Sequence, residues 1–335
     1  MDFESFKQKY LKAPVEEYPN ECDPAALVSV RLMAYNHRDY VAQCLDSILA
    51  QETDFDFNIV LAEDDSSDGT REICLEYAKK HPDKIRLLLG DRRNNIKVNG
   101  KPTGIFNSTY TNYSIDSKYI AICEADDYWT DPKSLQKRAD YLEQHDDHVM
   151  CFHDAIGIRE GQSVKEGKNF LPWRESVSIE KEEMIERVIP TASVMYRHKL
   201  IEVFSVSMTE IMLGDMLLRG KLSVYGKGRY IHDIKPSVYR YHDGGMYSAL
   251  PLAERMELTF QTRKYLIKHI ADSEERKQSM TRSLAVKYLG FFFGMLKFER
   301  RLNWKFIKQS RYYARQSETP MFHIAREWFY TKTNR

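Results

Sequence analysis

The stretch Lys118-Tyr-Ile-Ala-Ile-Cys-Glu-Ala-Asp-Asp-Tyr-Trp-Thr-Asp-Pro132 decides how the rest of the chain is read. Tyr119 to Cys123 is a run of apolar and β-favouring residues, the pattern of a strand buried on both faces. It runs straight into Glu124, Asp126 and Asp127, and Asp131-Pro132 stops it. Acids at the carboxyl end of a buried strand stand at the rim of a sheet, where open α/β folds bind ligands. Two adjacent aspartates repel, so the pair is costly unless a cation lies beside them. A hard divalent ion bridging to phosphate oxygens meets that need. The same residues also read as a solvated acidic turn before a helix, with Asp131 as N-cap and Pro132 at its first position.

Upstream, Ala25 to Met33 is a strand ending at Ala34-Tyr35-Asn36-His37, and a helix follows from about Asp39 to Gln51 with Val41, Cys44, Leu45, Ile48 and Leu49 at helical spacing. A second strand, Phe57 to Ala62, runs into Glu63-Asp-Asp-Ser-Ser-Asp-Gly-Thr70, a turn by composition whose Thr70 can cap the next helix. Ile85 to Leu89 is a third strand, and a helix to about Ile115 leads back to Tyr119. The alternation β-α-β-α-β-α-β implies a mostly parallel sheet with right-handed crossovers. Both acidic turns then fall on one edge of that sheet.

Downstream, a helix to about Gln144 and a strand from Val149 to Ala155 are expected. Gly157 to Arg174 reads as an irregular, charged acceptor or lid loop with Trp173 exposed. Ser178 is placed as the cap of a short helix. Leu213-Gly-Asp-Met216 opens a helix with Asp215 in its first turn. Ser223–Tyr225 and Tyr230–Ile234 suggest a hairpin around Gly226-Lys227-Gly228. Pro236 to Gly245 is a strand running into a glycine turn, and from about Leu252 the pattern is helical. The last part mixes Phe291, Phe292, Phe293, Trp304, Tyr312, Trp328 and Phe329 with many Lys and Arg, against only Glu299, Glu318 and Glu327 after Arg282.

The 335 residues are 42% hydrophobic and 30% charged, enough for a sizeable core, with a formal net charge of +1 that gives no reason to expect nucleic acid. The five cysteines form no CxxC pair, and Cys123 reads as a small core residue. No apolar leader opens the chain and no window reaches the ~18 apolar residues of a membrane span, so a reducing cytoplasmic setting is expected.

These motifs together resemble the family 2 glycosyltransferases of the bacterial surface-polysaccharide type. The resemblance covers about Val28 to Ser248. It rests on Val28-Ser-Val with Tyr35-Asn36, on Glu63 to Thr70, on Tyr119 to Pro132, on Gly214-Asp215, and on Tyr239-Arg-Tyr-His-Asp-Gly-Gly245. Ala125 departs from it, since relatives usually carry Gly there; a negative φ would accommodate the methyl. The resemblance implies a GT-A fold, α/β and Rossmann-like with a mostly parallel central sheet, placed over residues 1–250; the helical pattern that follows is expected to form an extension over 251–335. It implies nucleotide-sugar binding by Ala34, Tyr35, Asn36, Glu63, Asp64, Glu124, Ala125 and Asp126. In that scheme Asp64 reads a uracil-type base, and Asp127 and Asp126 hold Mg²⁺ or Mn²⁺, with His242 completing the shell. Asp215 is the expected general base of an inverting transfer from a UDP- or dTDP-linked sugar to a glycan or lipid-linked acceptor. Arg92 and Arg93 face either the diphosphate or solvent, and Arg197 and Arg240 are left open.

Two other classes compete. One is a nucleotide-sugar-binding protein of the same fold without catalysis, against which stands the joint retention of Asp64, Asp126, Asp127 and Asp215. The other is a nucleotidyltransferase, but the Gly- and basic-rich loop that cradles a triphosphate is missing after Met33. The segment Arg282–Arg335 is expected either to meet the inner face of an anionic membrane or to pack on the catalytic domain or a second subunit of a homo-oligomer.

Overall fold

A computed structural model describes residues 2–98, 100–159, 161–200, 211, 213–245, 247, 249–299 and 303–333. The ends of the expected stretches at Ser248 and Arg335 lie outside those residues. In chain order the elements begin with α1 (Phe3–Tyr10), β1 (Glu16–Glu17), β2 (Val28–Ala34), α2 (Val41–Leu49), β3 (Phe57–Glu63), α3 (Thr70–Lys80) and β4 (Ile85–Leu89). Then come β5 (Lys97–Val98), β6 (Lys101–Pro102), α4 (Ile105–Tyr113), β7 (Tyr119–Glu124), α5 (Ser134–Gln144), β8 (His148–Phe152), β9 (Ala155–Arg159) and β10 (Lys168–Asn169). After these follow β11 (Val177–Ile179), α6 (Lys181–Glu186), β12 (Met195–Arg197), α7 (Gly214–Leu222), β13 (Lys227–Tyr230) and β14 (Ser237–Tyr241). Four helices close the chain: α8 (Leu252–His269), α9 (Glu274–Glu299), α10 (Trp304–Gln316) and α11 (Met321–Thr333).

Strand β7 is buried along Tyr119–Cys123, as its unbroken apolar run requires. It lies inside a sheet of order β1-β4-β3-β2-β7-β12-β8-β13-β11. Strands β2, β3, β4 and β7 pair in parallel, β8 and β13 share their direction, and the short β1, β11 and β12 oppose it. The sheet is therefore mostly parallel. Its one face packs Val28, Val30, Leu32, Ile59 and Leu61 against Val41, Cys44, Leu45, Ile48 and Cys74 of α2 and α3. The other face is polar: Ser29 Oγ donates to Asn58 Oδ1 (2.6 Å), Arg31 donates to Ser108 Oγ (3.1 Å), and Tyr196 Oη donates to Asn112 Oδ1 (3.0 Å). A second sheet, β10-β9-β14, stands beside the first.

Contacts divide the chain into two units, Met1–Pro251 and Leu252–Arg335. The second unit has its own core, in which Phe260, Tyr288, Phe291, Phe292 and Phe306 pack together. Among the described residues no helix is long and apolar enough to cross a membrane.

Three local expectations are corrected. Gly226-Lys227-Gly228 is no hairpin turn, because Lys227–Tyr230 is one continuous strand beside β8. A Cβ on Gly226 would stand 2.6 Å from Asp147 O, and one on Gly228 would stand 2.9 Å from Ile179 Cγ1. These glycines let strands approach closely rather than turn the chain. Ser178 lies in β11, and Glu180 caps the helix through a reciprocal pair with Glu183. Trp173 is half-buried, with Tyr230 at 5.1 Å and the Arg187 guanidinium 4.9 Å over its ring.

The acidic turn after β7 is anchored from below. Trp129 is buried, donates from Nε1 to Ala192 O (2.6 Å), and has the Arg138 guanidinium 4.6 Å over its ring. Burial lowers the Arg138 pKa to about 10, and Ser134 O and Ser193 O accept from it. Trp129→Ala opens a cavity and removes the cover over that guanidinium, so denaturant unfolding should show a loss of about 3–5 kcal/mol. A loss below 1 kcal/mol would mean the ring does not anchor the turn.

Candidate active site

Parallel pairing puts Ala34 opposite Glu63 and Met33 opposite Glu124, so the segments following β2, β3 and β7 leave the sheet at one edge. The first two are stitched together. Asn36 takes the left-handed conformation (φ 53°), which Asn tolerates, and its Oδ1 accepts from Ser67 N–H (3.0 Å). Ser66 Oγ accepts from Asn36 N–H (2.9 Å), and Thr70 Oγ1 accepts from His37 N–H (2.7 Å). Glu63 is fully buried, and its carboxylate accepts from Arg71, from Ser66 N–H (2.7 Å) and from Asp65 N–H (3.2 Å). Asn36 and Glu63 thus shape the turn through their side chains, and Ala34 does so through its carbonyl, which accepts from Asp64 N–H (3.0 Å).

Asp64 points the other way. Its carboxylate pairs with Arg92, whose guanidinium lies 4.0 Å over the ring of the exposed Tyr35. Burial raises the Asp64 pKa, against the charge and hydrogen bond of Arg92 and a further bond from Asn107. A carboxylate, an aromatic face and a guanidinium therefore share one end of the cleft. Arg92 belongs to this end, whereas Arg93 is exposed and bound to Asp91.

At the centre, Asp126 Oδ2 lies 3.0 Å from His242 Nε2 and 3.9 Å from His37 Nε2. The three ligand atoms all fall within 4.8 Å of one another, and among the described residues they form the cluster that could hold a metal ion. Burial pushes the Asp126 carboxyl up, but the His242 hydrogen bond and the two imidazoles outweigh it and leave its pKa lowered. The same bond raises His242, while burial lowers His37. Nδ1 of His37 is buried without a hydrogen-bond partner.

Asp127 stands outside this cluster. It is 1% exposed, and its Oδ1 accepts from Arg240 N–H (3.0 Å). Burial and then the neighbouring Asp126 raise its pKa well above the carboxylate range. Arg240 also donates to Asp126 O (2.5 Å) and stacks against Tyr128 and Tyr40. Arg197 lies elsewhere, bound to the carbonyls of His148 and His145.

Glu124 is held between unlike neighbours. Arg31 approaches to 3.9 Å, yet burial, with the charges of Asp126 and Asp215, pushes its pKa up to about 7. Ala125 is buried with negative φ and donates its N–H to Met33 O (3.2 Å). Asp215 stands in the first turn of α7, its Oδ2 accepting from Arg219 (3.1 Å), which also donates to Met184 O and Arg187 O. Its carboxylate is 38% exposed, so a hydroxyl can reach it.

Sequence reasoning missed His37, Arg31 and the side on which Arg92 works. His37 follows the Tyr35-Asn36 motif directly, and its neighbour position was the available signal. Nothing in the sequence placed Arg31 under Glu124, because it reads as one polar residue in an apolar strand.

Residues 29–204 match the Glycosyl transferase family 2 profile. An uncharacterised protein of Mycobacterium tuberculosis is 30% identical over 220 residues, which is 66% of this chain and 60% of that protein. The chain thus spans about 60% of the length of that relative. The minor teichoic acid biosynthesis protein GgaB of Bacillus subtilis is 26% identical over 145 residues, 42% of this chain and 15% of its own. Among solved structures, S. aureus TarS 1–349 in complex with UDP-GlcNAc superposes with a TM-score of 0.56 at 16% identity, over 82% of this chain and 76% of that one. That likeness shows the fold, which is GT-A. With more than half of its residues matched, the chain belongs to glycosyl transferase family 2.

Proposed function

We propose that this protein is an inverting glycosyltransferase that moves a sugar from a UDP- or dTDP-linked donor to an acceptor hydroxyl in surface-polysaccharide synthesis. The observation that carries the reading is the convergence, on one sheet edge, of the Tyr35–Arg92–Asp64 end, the Asp126 centre and Asp215. Tyr35 offers a face to a planar base and Asp64 an acceptor to an imide N–H. Relatives named for teichoic acid synthesis, and the TarS fold with its UDP-GlcNAc, support the polymer and the donor class.

His37, Asp126 and His242 fit a divalent cation, since one carboxylate oxygen and the Nε2 atoms of two imidazoles converge. Two nitrogen donors favour Mn²⁺ over the oxygen-seeking Mg²⁺. Such an ion, when bound, neutralises the charge that develops on the departing nucleotide diphosphate. Asp215 takes the proton of the acceptor hydroxyl, and Arg219 holds that carboxylate in place. Attack from the face opposite the leaving group inverts the anomeric centre. Glu124 contacts the donor beside the ion, with Arg31 beneath it.

Calorimetric titration of UDP should show at least a roughly tenfold loss of affinity when EDTA replaces Mn²⁺, a factor worth ~1.4 kcal/mol. Asp126→Asn should match the EDTA sample. Unchanged affinity in EDTA would remove the ion from the donor site. Asp215→Asn should keep UDP affinity and lose roughly 10²–10⁴ in transfer rate, the range for a general base. Near-normal turnover would reduce Asp215 to a helix-end acid.

The helical unit supports contact with an anionic membrane surface. Its aromatics divide into a buried set and an exposed one, which includes Trp304 (57%), Tyr312 (53%) and Phe322 (72%). Trp304 and Tyr312 share a face of α10 with Lys308, Arg311 and Arg315, which are all exposed. Indole and phenol rings suit the headgroup region, and each nearby basic residue adds ~1 kcal/mol against an anionic leaflet. Sedimentation with anionic vesicles should pellet the protein at low salt and release it at high salt. Equal recovery in the supernatant with anionic and neutral vesicles would leave these helices a packing role.

A further inference from the structure

Strand β14 has two chemically different faces. The Arg240 guanidinium donates to Asp126 O and His242, just past the strand, reaches Asp126 Oδ2, whereas Tyr239 and Tyr241, the alternate residues, turn to the opposite side. On that side lies a cavity of about 430 Å³ whose lining includes Gly157, Arg159, Gln162, Lys168, Phe170 and Tyr241. The rings of Phe170 and Tyr241 are nearly parallel (10°), and Tyr239 stands edge-on to both. Gly157 makes this possible, because a Cβ there would stand 2.7 Å from Tyr241 and 3.2 Å from Phe170. The wall is built rather than loose: the buried Asp154 accepts from Phe170 N–H (3.2 Å), Leu171 N–H (3.0 Å) and Asn169 Nδ2 (2.5 Å).

We propose that this cavity is a subsite for an anionic sugar unit of the acceptor, remote from the reacting hydroxyl; it rests on the transferase reading above. A pyranose presents a face of C–H groups that settles on aromatic rings, and the polar rim meets its hydroxyls. Arg159 and Lys168 supply the charge preference, since neither enters an ion pair with a described residue. The Arg159 guanidinium lies 5.5 Å over the Tyr241 ring. Glu166 also borders the cavity, but its carboxylate accepts from both N–H and O–H of Ser163 (2.7 and 2.8 Å). Because one strand forms both surfaces, a unit held against Tyr241 is registered to His242 one residue away. Binding of remote parts of a substrate is a general means of orienting its reacting part.

A short oligogalacturonate, a neutral galactan fragment of the same length and UDP with Mn²⁺ serve as probes in separate calorimetric titrations of the full chain. Wild type should bind the acidic oligomer at least roughly tenfold more tightly than the neutral one, the scale of charge-assisted contacts. The double variant Arg159→Glu, Lys168→Glu should abolish that preference, Phe170→Ala should weaken both glycans, and all variants should keep the wild-type affinity for UDP. Equal binding of the two glycans by wild type, no glycan binding at all, or a preference that survives the double variant, each with UDP binding intact, overturns the subsite alone. Glycan binding by a wild type that does not bind UDP overturns the acceptor assignment through the transferase reading itself.

Discussion

Four carboxylates must coexist at one edge of the sheet: Glu124, Asp126 and Asp127 within one turn, and Asp215 near enough to act on Glu124. In water their repulsion would be mild, but burial strengthens it and penalises each ionised form. The protein answers each acid differently. Asp126 keeps its charge through His242 and His37, Asp127 is withdrawn and bonded to Arg240 N–H, and Glu124 lies over Arg31. Asp215 remains partly in water and bonded to Arg219. Four acids of similar chemistry thus acquire separate roles from their surroundings alone.

That division depends on supports that never touch the cleft. On the polar face of the sheet Arg31 donates to Ser108 Oγ, beside the bonded pairs Ser29–Asn58 and Tyr196–Asn112. Ser108 of α4 stands where a sheet-covering helix would ordinarily carry Leu, and its hydroxyl offsets part of the cost of burying the Arg31 guanidinium, whose Nε has no hydrogen-bond partner. Beneath the turn, Trp129 and Arg138 hold the backbone that presents Asp126. The turn from Glu63 to Thr70 is fixed equally firmly, through Arg71 on Glu63 and Asn36 on Ser67, which leaves the Asp64 carboxylate to face the cleft.

Much of this was legible in the sequence. The apolar runs ending in acids, separated by helical spacing, require a mostly parallel sheet with those acids at its carboxyl edge. Elements with a strong period, such as α2, lie close to where the spacing puts them. Glycine-rich segments were less readable. Gly226 and Gly228 offer the freedom a turn uses and also the lack of a side chain that two close strands need, and only the neighbours Asp147 and Ile179 decide between them. Trp173 looks exposed in a charged stretch because the residues that cover it, Tyr230 and Arg187, come from distant segments.

The sequence by itself determined the sheet, its edge and the kinds of groups gathered there, since periodicity and strand ends are local properties. Only the tertiary structure decided which acid meets which partner. Asp126 and Asp127 are adjacent and chemically identical, but successive residues point in different directions, so one meets two imidazoles and the other a backbone N–H of β14. His37 lies 205 positions before His242, and pairing of β2 with β7, followed by the return of β14, brings them together. Long-range juxtaposition of this kind leaves no period and no motif in the chain, because it is set by strand order and by side-chain direction at the sheet edge.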